Sequence, residues 1–298
     1  MRPPWGIGHG RGPDLALCVE REDFIMMLPK DFFDLEYFEH TEVFMEDAPV
    51  WSTLDRLKEY LSSFFVKQLP LSEINGQIDY PLVIYQGEVR RDLEIKPSGS
   101  KGSVQAYMNG EPLQGASIIL PGAYLFDDKI QIGSGTVVEP GALIKGPVVI
   151  GNNTEVRQGA YIRGNCLIGN GCVVGHTTEI KGSILLDGAK AGHFAYIGDS
   201  ILGNDVNLGA GTKLANLKMI SGTIFVRSGK QRYNTERHKL GAIMGDRTET
   251  GCNSVTSPGT LLGRRSIIYP CVTVPGGHYL DKTIVKPSKA SLMISGNR

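Results

Sequence analysis

The sequence predicts a mainly β fold, a parallel β-helix built from hexapeptide repeats, with a small α+β region at its amino terminus. Two observations carry this prediction. Aliphatic residues recur at every sixth position, and glycine makes up 38 of 298 residues, about 13% against roughly 7% in average soluble proteins. Of these glycines, 26 lie between Gly133 and Gly277, among many Val, Ile and Leu residues. This composition is typical of short strands joined by repeated tight turns.

The period of six is uninterrupted over ten aliphatic positions, which are Ile132, Val138, Ile144, Ile150, Val156, Ile162, Ile168, Val174, Ile180 and Leu186. After a slip of register it resumes at Leu202, and a third block runs from Met244 to Val274. A period of six matches neither a helix nor an isolated strand, but it fits a triangular coil in which each hexad supplies one side and one corner. Three hexads close one coil, whose aliphatic side chains point inward.

Small residues are expected where each coil narrows. They recur four positions after the aliphatic residue, as in Thr136, Ala142, Thr154, Ala160, Cys166 and Cys172. The two ends of such a coil expose strand edges, and the residues before 115 and after 277 are the available covers. The basic stretch from Ala215 to Leu240 breaks the period, which predicts either an external loop or a flap over an anionic ligand.

These patterns divide the chain into three parts. Residues 1–115 form an amino-terminal α+β region, interpreted as a truncated remnant and linker. Residues 116–285 form the β-helix with a loop excursion at 215–243, and residues 286–298 form a tail. Within the first part, residues 52–65 predict a helix with one apolar face, and residues 81–86 predict a strand. The glycine-rich run from Gly6 to Gly12 lacks the context of a phosphate loop and is interpreted as a flexible terminus.

Charge and apolar patterning exclude several classes of protein. Lys+Arg and Asp+Glu are both 31, so no basic footprint for nucleic acid or an anionic membrane exists. Neither a membrane helix nor a signal peptide is apparent, and we expect a cytoplasmic protein. The five cysteines, Cys18, Cys166, Cys172, Cys252 and Cys271, include no C-x-x-C pair and are interpreted as small buried residues in a reducing compartment.

Two cations inside the repeat predict a phosphate site. Lys181 follows Arg163 at an interval of three hexads, one full coil, so their side chains should stack on one face about 4.8 Å apart. Adjacent cations on a flat wall form a cradle for a phosphate, which Arg can bind through two hydrogen bonds. The alternative is a solvated basic ladder.

His193 is a candidate general base because it stands where the register slips, in K-A-G-H-F-A-Y. A neutral imidazole, with a usual pKa of about 6.5, suits removal of a proton from an attacking amine. Glu179 precedes it by less than one coil and is a candidate to orient it. The alternative is a purely structural histidine. His176 also lies in the repeat, but it is nearly a full coil from His193. This spacing does not favour zinc, and we expect no metal site.

Three segments carry a resemblance to a known family: E-I-K at 179–181, K-A-G-H-F-A-Y-I-G-D at 190–199 and N-L-G-A-G-T at 207–212. From about Glu139 to Gly277 the chain resembles the acetyltransferase domain of the bifunctional N-acetylglucosamine-1-phosphate uridyltransferase/glucosamine-1-phosphate acetyltransferase. R-H-K-L-G-A-I-M-G-D at 237–246 is more similar to the archaeal fused sugar-1-phosphate nucleotidylyltransferase/acetyltransferases. The resemblance implies a left-handed β-helix that works as a homotrimer, with active sites between subunits.

The resemblance also implies roles for individual residues. It makes His193 the general base, Glu179 its orienting partner and Asn216 a neighbour of the acetyl group. It implies that the sugar phosphate is held by Arg163, Lys181 and Tyr196, and the sugar by Asn207. It places acetyl-CoA along Gly209, Ala210, Cys252 and Pro270. The bacterial enzyme has Ser in place of Cys252 and Ala in place of Pro270, so we expect the coenzyme contacts to differ here.

The sequence therefore predicts an acetyl-CoA-dependent N-acetyltransferase acting on an amino-sugar 1-phosphate, either glucosamine-1-phosphate or galactosamine-1-phosphate. The signature G-x-G-T-R-x-x-P is absent and the region 1–115 is too short for a nucleotidyltransferase domain, so we expect acetyl transfer without uridylylation. The altered coenzyme-side residues leave a second interpretation open, a non-catalytic β-helix module that binds a sugar nucleotide or scaffolds a partner. A third is an acyltransferase for another acyl group or a nucleotide-linked sugar.

Overall fold

The computed structural model describes residues 27–64, 76–98, 104–127 and 129–287. From residue 117 onward the chain winds as a parallel β-helix with three faces, which we name A, B and C. Each coil visits face B, then face A, then face C. The predicted fold class, a mainly β protein with a left-handed parallel β-helix of hexapeptide repeats and a small α+β amino-terminal region, is confirmed.

Short parallel strands, stacked coil upon coil, make up each face. Face A contains Tyr124–Phe126, Leu143–Lys145, Tyr161–Ile162, Glu179–Lys181, Tyr196–Gly198, Lys213–Leu214, Val255–Thr256 and Thr273–Val274. Face B contains Ser117–Ile119, Val137–Val138, Glu155–Val156, Val173–His176, Lys190–His193, Asn207–Leu208, Glu249–Thr250, Ile267–Ile268 and Ile284–Val285. Face C contains Ile130–Ile132, Val148–Ile150, Cys166–Ile168, Ile184–Leu185, Ile201–Leu202, Ala242–Met244, Thr260–Leu262 and Gly277–Tyr279.

The remaining elements lie outside the coils. Two α-helices, Pro29–Phe32 and Thr53–Phe64, accompany 3-10 turns at Thr41–Val43 and Val50–Ser52. Additional strands are Gly76–Gln77, Leu82–Tyr85, Glu88–Arg90, Glu94–Pro97, Val104–Met108, Glu111–Pro112, Phe225–Ser228 and Gln231–Asn234. The predictions of a helix at 52–65 and a strand at 81–86 are confirmed. The run Gly6–Gly12 lies outside the described residues. No described helix is long and apolar enough to cross a membrane.

The interior of the coils is aliphatic, as the period of six predicts. Ile132 is 4% exposed, and the other residues of its series are fully buried. Leu186 nevertheless points outward into a second core, and Leu185 takes the inward position. The reason is a shorter coil: Ile162 lies opposite Ile180, three full hexads further on, whereas Ile180 lies opposite Ile197, one position short of three hexads. The predicted slip of register is therefore the loss of one corner residue between faces A and C.

The small residues also behave as predicted. The residues Thr136, Ala142, Thr154, Ala160, Cys166 and Cys172 are at most 1% exposed. Burial raises the pKa of the Cys166 and Cys172 thiols to about 12, so these thiols are chemically inert. The expectation of burial is wrong for Cys252 and Cys271, which are exposed because both stand at turns between strands. Cys18 lies outside the described residues.

The amino-terminal region covers the first coil, as the need to protect its strand edges predicts. Leu82–Tyr85 pairs antiparallel with Ser117–Ile119 on face B, and Gly76–Gln77 pairs antiparallel with Tyr124–Phe126 on face A.

The same region also covers the outer side of face C. Leu54, Leu57 and Leu61 of the second α-helix share one core with outward-pointing residues of that face and with the aromatic residues before the helix. This core includes Phe32, Phe33, Phe38, Phe44, Trp51, Val149, Leu167, Ile184, Ile201, Ile243 and Leu261. Face C is therefore buried by the chain itself. On face B the outer side of the first coil is covered as well, because Ile118 packs with Ala106 and Leu113 of the amino-terminal region.

A backbone hydrogen bond helps to fix the height at which this cover docks, together with the Asp34 N–H that donates to Asp246 Oδ2 at 2.7 Å. Along the corner between faces C and B, Asn and Asp side chains accept amide protons from the coil before, as when the Asn152 N–H donates to Asn170 Oδ1 at 2.7 Å. Arg264 occupies this position in its coil and has no acceptor to offer the Asp246 N–H. The Phe32 carbonyl accepts that proton instead, at 3.0 Å. The amino-terminal segment thus completes a hydrogen-bond ladder that the repeat leaves incomplete.

The excursion after Leu214 is an external hairpin packed on the cover of face C. Val226 and Leu240 belong to the same core as the amino-terminal helix. Arg237 forms an ion pair with Asp55 of that helix. At least this part of the basic stretch is therefore neutralised within the chain.

Replacing Leu57 with Ala tests whether the helix is part of the folded core. Leu57 is 2% exposed, and removing such a side chain costs about 2–5 kcal/mol of unfolding free energy through lost burial and the cavity left behind. Urea denaturation measures the change. The neighbouring exposed Lys58→Ala should stay within about 0.5 kcal/mol of the parent; equal losses in the two variants would mean that the helix does not pack on face C.

Candidate active site

His193 lies at the corner between faces B and A, as the last residue of its strand. Its side chain is exposed, and it has no hydrogen-bond partner among the described residues. The close approach of neighbouring coils here requires glycine, because a Cβ on Gly175 would lie 1.8 Å from the Gly192 carbonyl oxygen. Phe194 follows in a left-handed conformation, φ 53°, and is 54% exposed. A bulky residue with positive φ is uncommon and marks this corner as specialised.

The four predicted coenzyme residues continue from His193 along the same corner. The Gly211 N–H donates to the His193 carbonyl at 3.0 Å, and the Asn253 N–H donates to the Ala210 carbonyl at 2.8 Å. The Cys271 N–H donates to the Cys252 carbonyl at 2.9 Å in the next coil. The predicted residues Gly209, Ala210, Cys252 and Pro270 are thus stacked in three successive coils. Small side chains and backbone line this corner, which leaves room for an extended molecule.

Side chains on face A form a polar network at the other end of its strands, toward the corner between faces A and C. Lys181 Nζ lies 3.0 Å from Asp199 Oδ2, with the two side chains only 21% and 14% exposed. The Asn216 amide donates to the same carboxylate oxygen. The Tyr196 hydroxyl donates to Asn216 Oδ1 at 3.3 Å. The structure therefore brings together three predicted site residues, Lys181, Tyr196 and Asn216, around a carboxylate that the sequence analysis did not single out.

Asp199 is the residue that sequence reasoning missed. It is the final letter of K-A-G-H-F-A-Y-I-G-D, but a corner Asp is also what a left-handed turn favours, and its φ is 47°. In the sequence, the turn alone accounts for this Asp. Only the three-dimensional structure shows its contact with Lys181. The carboxylate neutralises Lys181 and fixes the Asn216 amide.

Arg163 and Lys181 occupy adjacent positions on face A, because Ile162 and Ile180, the residues before them, are paired. The predicted stacking is therefore present. Arg163 Nη1 lies 2.7 Å from Glu179 Oε1, and this hydrogen bond raises the pKa of Arg163. The two side chains are 44% and 34% exposed, so this pair contributes about 0–1 kcal/mol to stability. The Glu179 carboxylate makes no hydrogen bond to His193 in the described chain, and its orienting role stays a prediction.

Two further predicted residues lie on face B. Asn207 is exposed and faces outward between Lys190 and Glu249 of the adjoining strands. His176 pairs in register with His193, but its Nδ1 is 2.9 Å from the Gln158 carbonyl oxygen. Within the described ranges, no group of three or more His, Cys, Asp or Glu side chains could hold a metal ion.

The predicted residues form an open surface rather than a cavity. A cavity of about 390 Å³ lies instead near the corner between faces C and B, beside the amino-terminal segment, and Tyr37, Asp246 and Arg247 are among its lining residues. None of the predicted site residues lines it. Arg163 and Asn207 are exposed and Lys181 and Tyr196 are half-buried, whereas Asn216 is only 8% exposed.

Comparison with known proteins places the similarity in this β-helix. Residues 144–291 match the family model described as the GMPPB C-terminal domain. A bifunctional sugar-1-phosphate nucleotidylyltransferase/acetyltransferase from Sulfurisphaera tokodaii is 39% identical over 92 residues, 31% of this chain and 23% of that protein. The resemblance predicted from the sequence is confirmed. A bifunctional GlmU protein from Methanococcus maripaludis is 39% identical over 86 residues, 29% of this chain and 21% of that protein.

The chain spans less than a quarter of the length of these two curated relatives. Among solved structures, the polySia-specific acetyltransferase NeuO is similar over 58% of this chain and 88% of that chain, with 16% identity and a TM-score of 0.34.

Asp199→Asn tests the network without disturbing the turn, because Asn also tolerates a left-handed φ. The change removes the charge that pairs with Lys181, and we expect a loss of about 1 kcal/mol in unfolding free energy, measured by urea denaturation. Asp205→Asn is the matched control, since Asp205 is another corner residue, φ 55°, whose pairing with Arg247 is over 60% exposed on both sides. If both changes had the same effect, the Lys181–Asp199 contact would not be a distinct source of stability.

Proposed function

We propose that this chain is an acetyl-CoA-dependent N-acetyltransferase acting on an amino-sugar 1-phosphate, such as glucosamine-1-phosphate or galactosamine-1-phosphate. The observation that carries the proposal is the position of His193. Its imidazole is exposed and has no hydrogen-bond partner in the described chain, on the corner that also carries the predicted coenzyme residues and that precedes Tyr196 on face A. The curated relatives named as acetyltransferases, which match this part of the chain, support the same activity.

Proton transfer is the task of His193 in this mechanism. Acetyl-CoA, when bound, supplies a thioester carbonyl carbon that an amine can attack. His193 accepts the proton that the amine nitrogen loses as the C–N bond forms. It then gives this proton to the sulfur as the C–S bond breaks, so that the products are an amide and a thiol. A positioned base of this kind contributes about 10²–10⁴-fold to rate.

Binding and orientation fall to the other side chains. Arg163 and Lys181 bind the phosphate, with Asp199 holding the Lys181 ammonium in place. Tyr196 contacts the same substrate, and Asn216 lies beside the acetyl group. Holding amine and thioester in attack geometry removes the entropic cost of bringing them together. In this proposal Asn207 contacts the sugar, and Glu179 orients His193 once ligands redistribute its contact with Arg163.

The coenzyme lies along Gly209, Ala210, Cys252 and Pro270. Their corner fits an extended molecule, because Ala210 is half-buried and Cys252 and Pro270 are exposed, with no bulky side chain among them. We place the outer sides of faces A and B, beyond the covered first coil, against further copies of the chain in a homotrimer, because face C is already covered. The unpaired described cysteines suit a reducing cytoplasm.

The test is the release of CoA thiol from acetyl-CoA with each of the two amino-sugar phosphates. We expect turnover with at least one, and a loss of about 10²–10⁴-fold in kcat for His193→Ala. His176→Ala, which removes the register neighbour of His193, should retain turnover. No turnover with either sugar, or an unchanged rate in His193→Ala, would refute the proposal. If the chain instead binds the sugar phosphate but does not bind acetyl-CoA, the result supports the non-catalytic module. The changed residues Cys252 and Pro270 favour this alternative.

A further inference from the structure

We propose that the site on face A takes its amino sugar as part of a nucleoside diphosphate, bound along a stripe that ends in an aromatic pair. The inference rests on the proposed acetyl transfer for the position of the sugar, but it adds a binding region for a second phosphate and a base. The residues that carry it are Lys145, Phe126 and Tyr124, none of which belongs to the predicted site.

A third cation extends the phosphate cradle by one coil. Lys145 follows Ile144 just as Arg163 follows Ile162, and Ile144 pairs with Ile162 in register. Lys145, Arg163 and Lys181 therefore occupy equivalent positions in three successive coils. With neighbouring strands about 4.8 Å apart, the stripe spans about 10 Å.

The charges along this stripe are not balanced. Lys181 is paired with Asp199 and Arg163 with Glu179. Lys145 is exposed and has no carboxylate partner in the described parts of the chain. Its Nζ lies 5.5 Å from the centroid of the Tyr161 ring. Among the described residues, the net positive charge of the stripe is therefore concentrated at Lys145, the position furthest from His193.

A single phosphate leaves Lys145 unused. Arg163 and Lys181 are in adjacent coils, and one phosphate between them satisfies both. Lys145 lies about two coil spacings, roughly 10 Å, from Lys181, so a phosphate seated between Arg163 and Lys181 is centred away from it. A diphosphate places its second anionic group one coil further along, where Lys145 and Arg163 can both reach it.

An aromatic pair follows immediately, in which Phe126 is exposed and Tyr124 is half-buried. Phe126 is the register partner of Lys145 and is 37% exposed. Its ring is nearly parallel to that of Tyr124, with an interplanar angle of 12° and a centroid distance of 6.2 Å. The Tyr124 hydroxyl donates to Gln77 Oε1 at 2.9 Å, which restrains the ring. Flat aromatic surfaces stack on nucleobases with about 1–3 kcal/mol per base.

The order of groups along face A matches the order of groups in a sugar nucleotide. His193 and Tyr196 stand at the sugar end, the three cations follow, and the aromatic pair comes last. Three coil spacings, roughly 14 Å, separate Lys181 from Phe126, a length comparable to an extended diphosphate with its ribose. The nucleobase then stacks on Phe126 while the amine remains beside His193.

Two measurements on the full chain test this. The first is titration calorimetry with UDP and GDP, which carry a diphosphate and a base but no amine. We expect one of them to bind at least about tenfold more tightly than inorganic phosphate, and Lys145→Ala or Phe126→Ala to weaken that binding by about tenfold. Lys58→Ala, an exposed cation on the amino-terminal helix, should leave it unchanged.

The second measurement compares kcat/KM for UDP-glucosamine and glucosamine-1-phosphate. The expected result is a higher value for UDP-glucosamine, lost in Lys145→Ala while the value for glucosamine-1-phosphate stays the same. The inference is overturned if neither nucleotide binds better than phosphate, or if both substitutions leave nucleotide binding unchanged. This holds even if the 1-phosphates are acetylated. Nucleotide binding that depends on Lys145, without acetyl transfer to any sugar, upholds the binding site and refutes the proposed reaction instead.

Discussion

The stacking of successive coils is the constraint on which the rest of this molecule depends. Each strand must donate its amide protons to a neighbouring coil and place one aliphatic side chain inside, as Val138, Val156 and Val174 do on face B. Both requirements repeat at every coil, so the inward positions have almost no freedom. A polar group there loses its water and needs a partner inside the coil, as the Thr250 hydroxyl has 2.8 Å from that of Thr212. Charged side chains are therefore confined to corners and to outward-pointing positions.

The candidate site uses both kinds of free position. His193 and the coenzyme residues stand on one corner, where the chain turns and backbone groups are accessible. The cations and tyrosines stand on face A, where the fixed spacing of strands sets their separation. The scaffold therefore sets the distances between side chains. Groups at equivalent positions in neighbouring coils are held at a constant spacing, and no loop is needed to arrange them.

Regular features were accessible from sequence for the same reason. The period of six predicts the inward residues, and the interval of three hexads predicts that Lys181 lies beside Arg163. The sequence does not predict contacts between residues that are unrelated by the repeat. Asp199 reaches Lys181 from a corner after a shortened coil, and Phe32 reaches Asp246 from the opposite end of the chain. Lys145 follows the interval, but its distinction, the lack of a carboxylate partner in the described chain, depends on side-chain placement.

The amide contact between Phe32 and Asp246 has a consequence for the identity of each coil. A stack of near-identical coils offers an apolar cover many similar docking positions, separated by a single strand spacing of about 4.8 Å. Apolar packing is non-directional and discriminates weakly among them. Arg264, in place of the usual Asn or Asp, leaves the Asp246 N–H without its usual acceptor in one coil. The Phe32 carbonyl of the cover accepts that proton. This hydrogen bond therefore distinguishes one docking position from its neighbours, so that the cover lies at a defined coil of a repetitive surface.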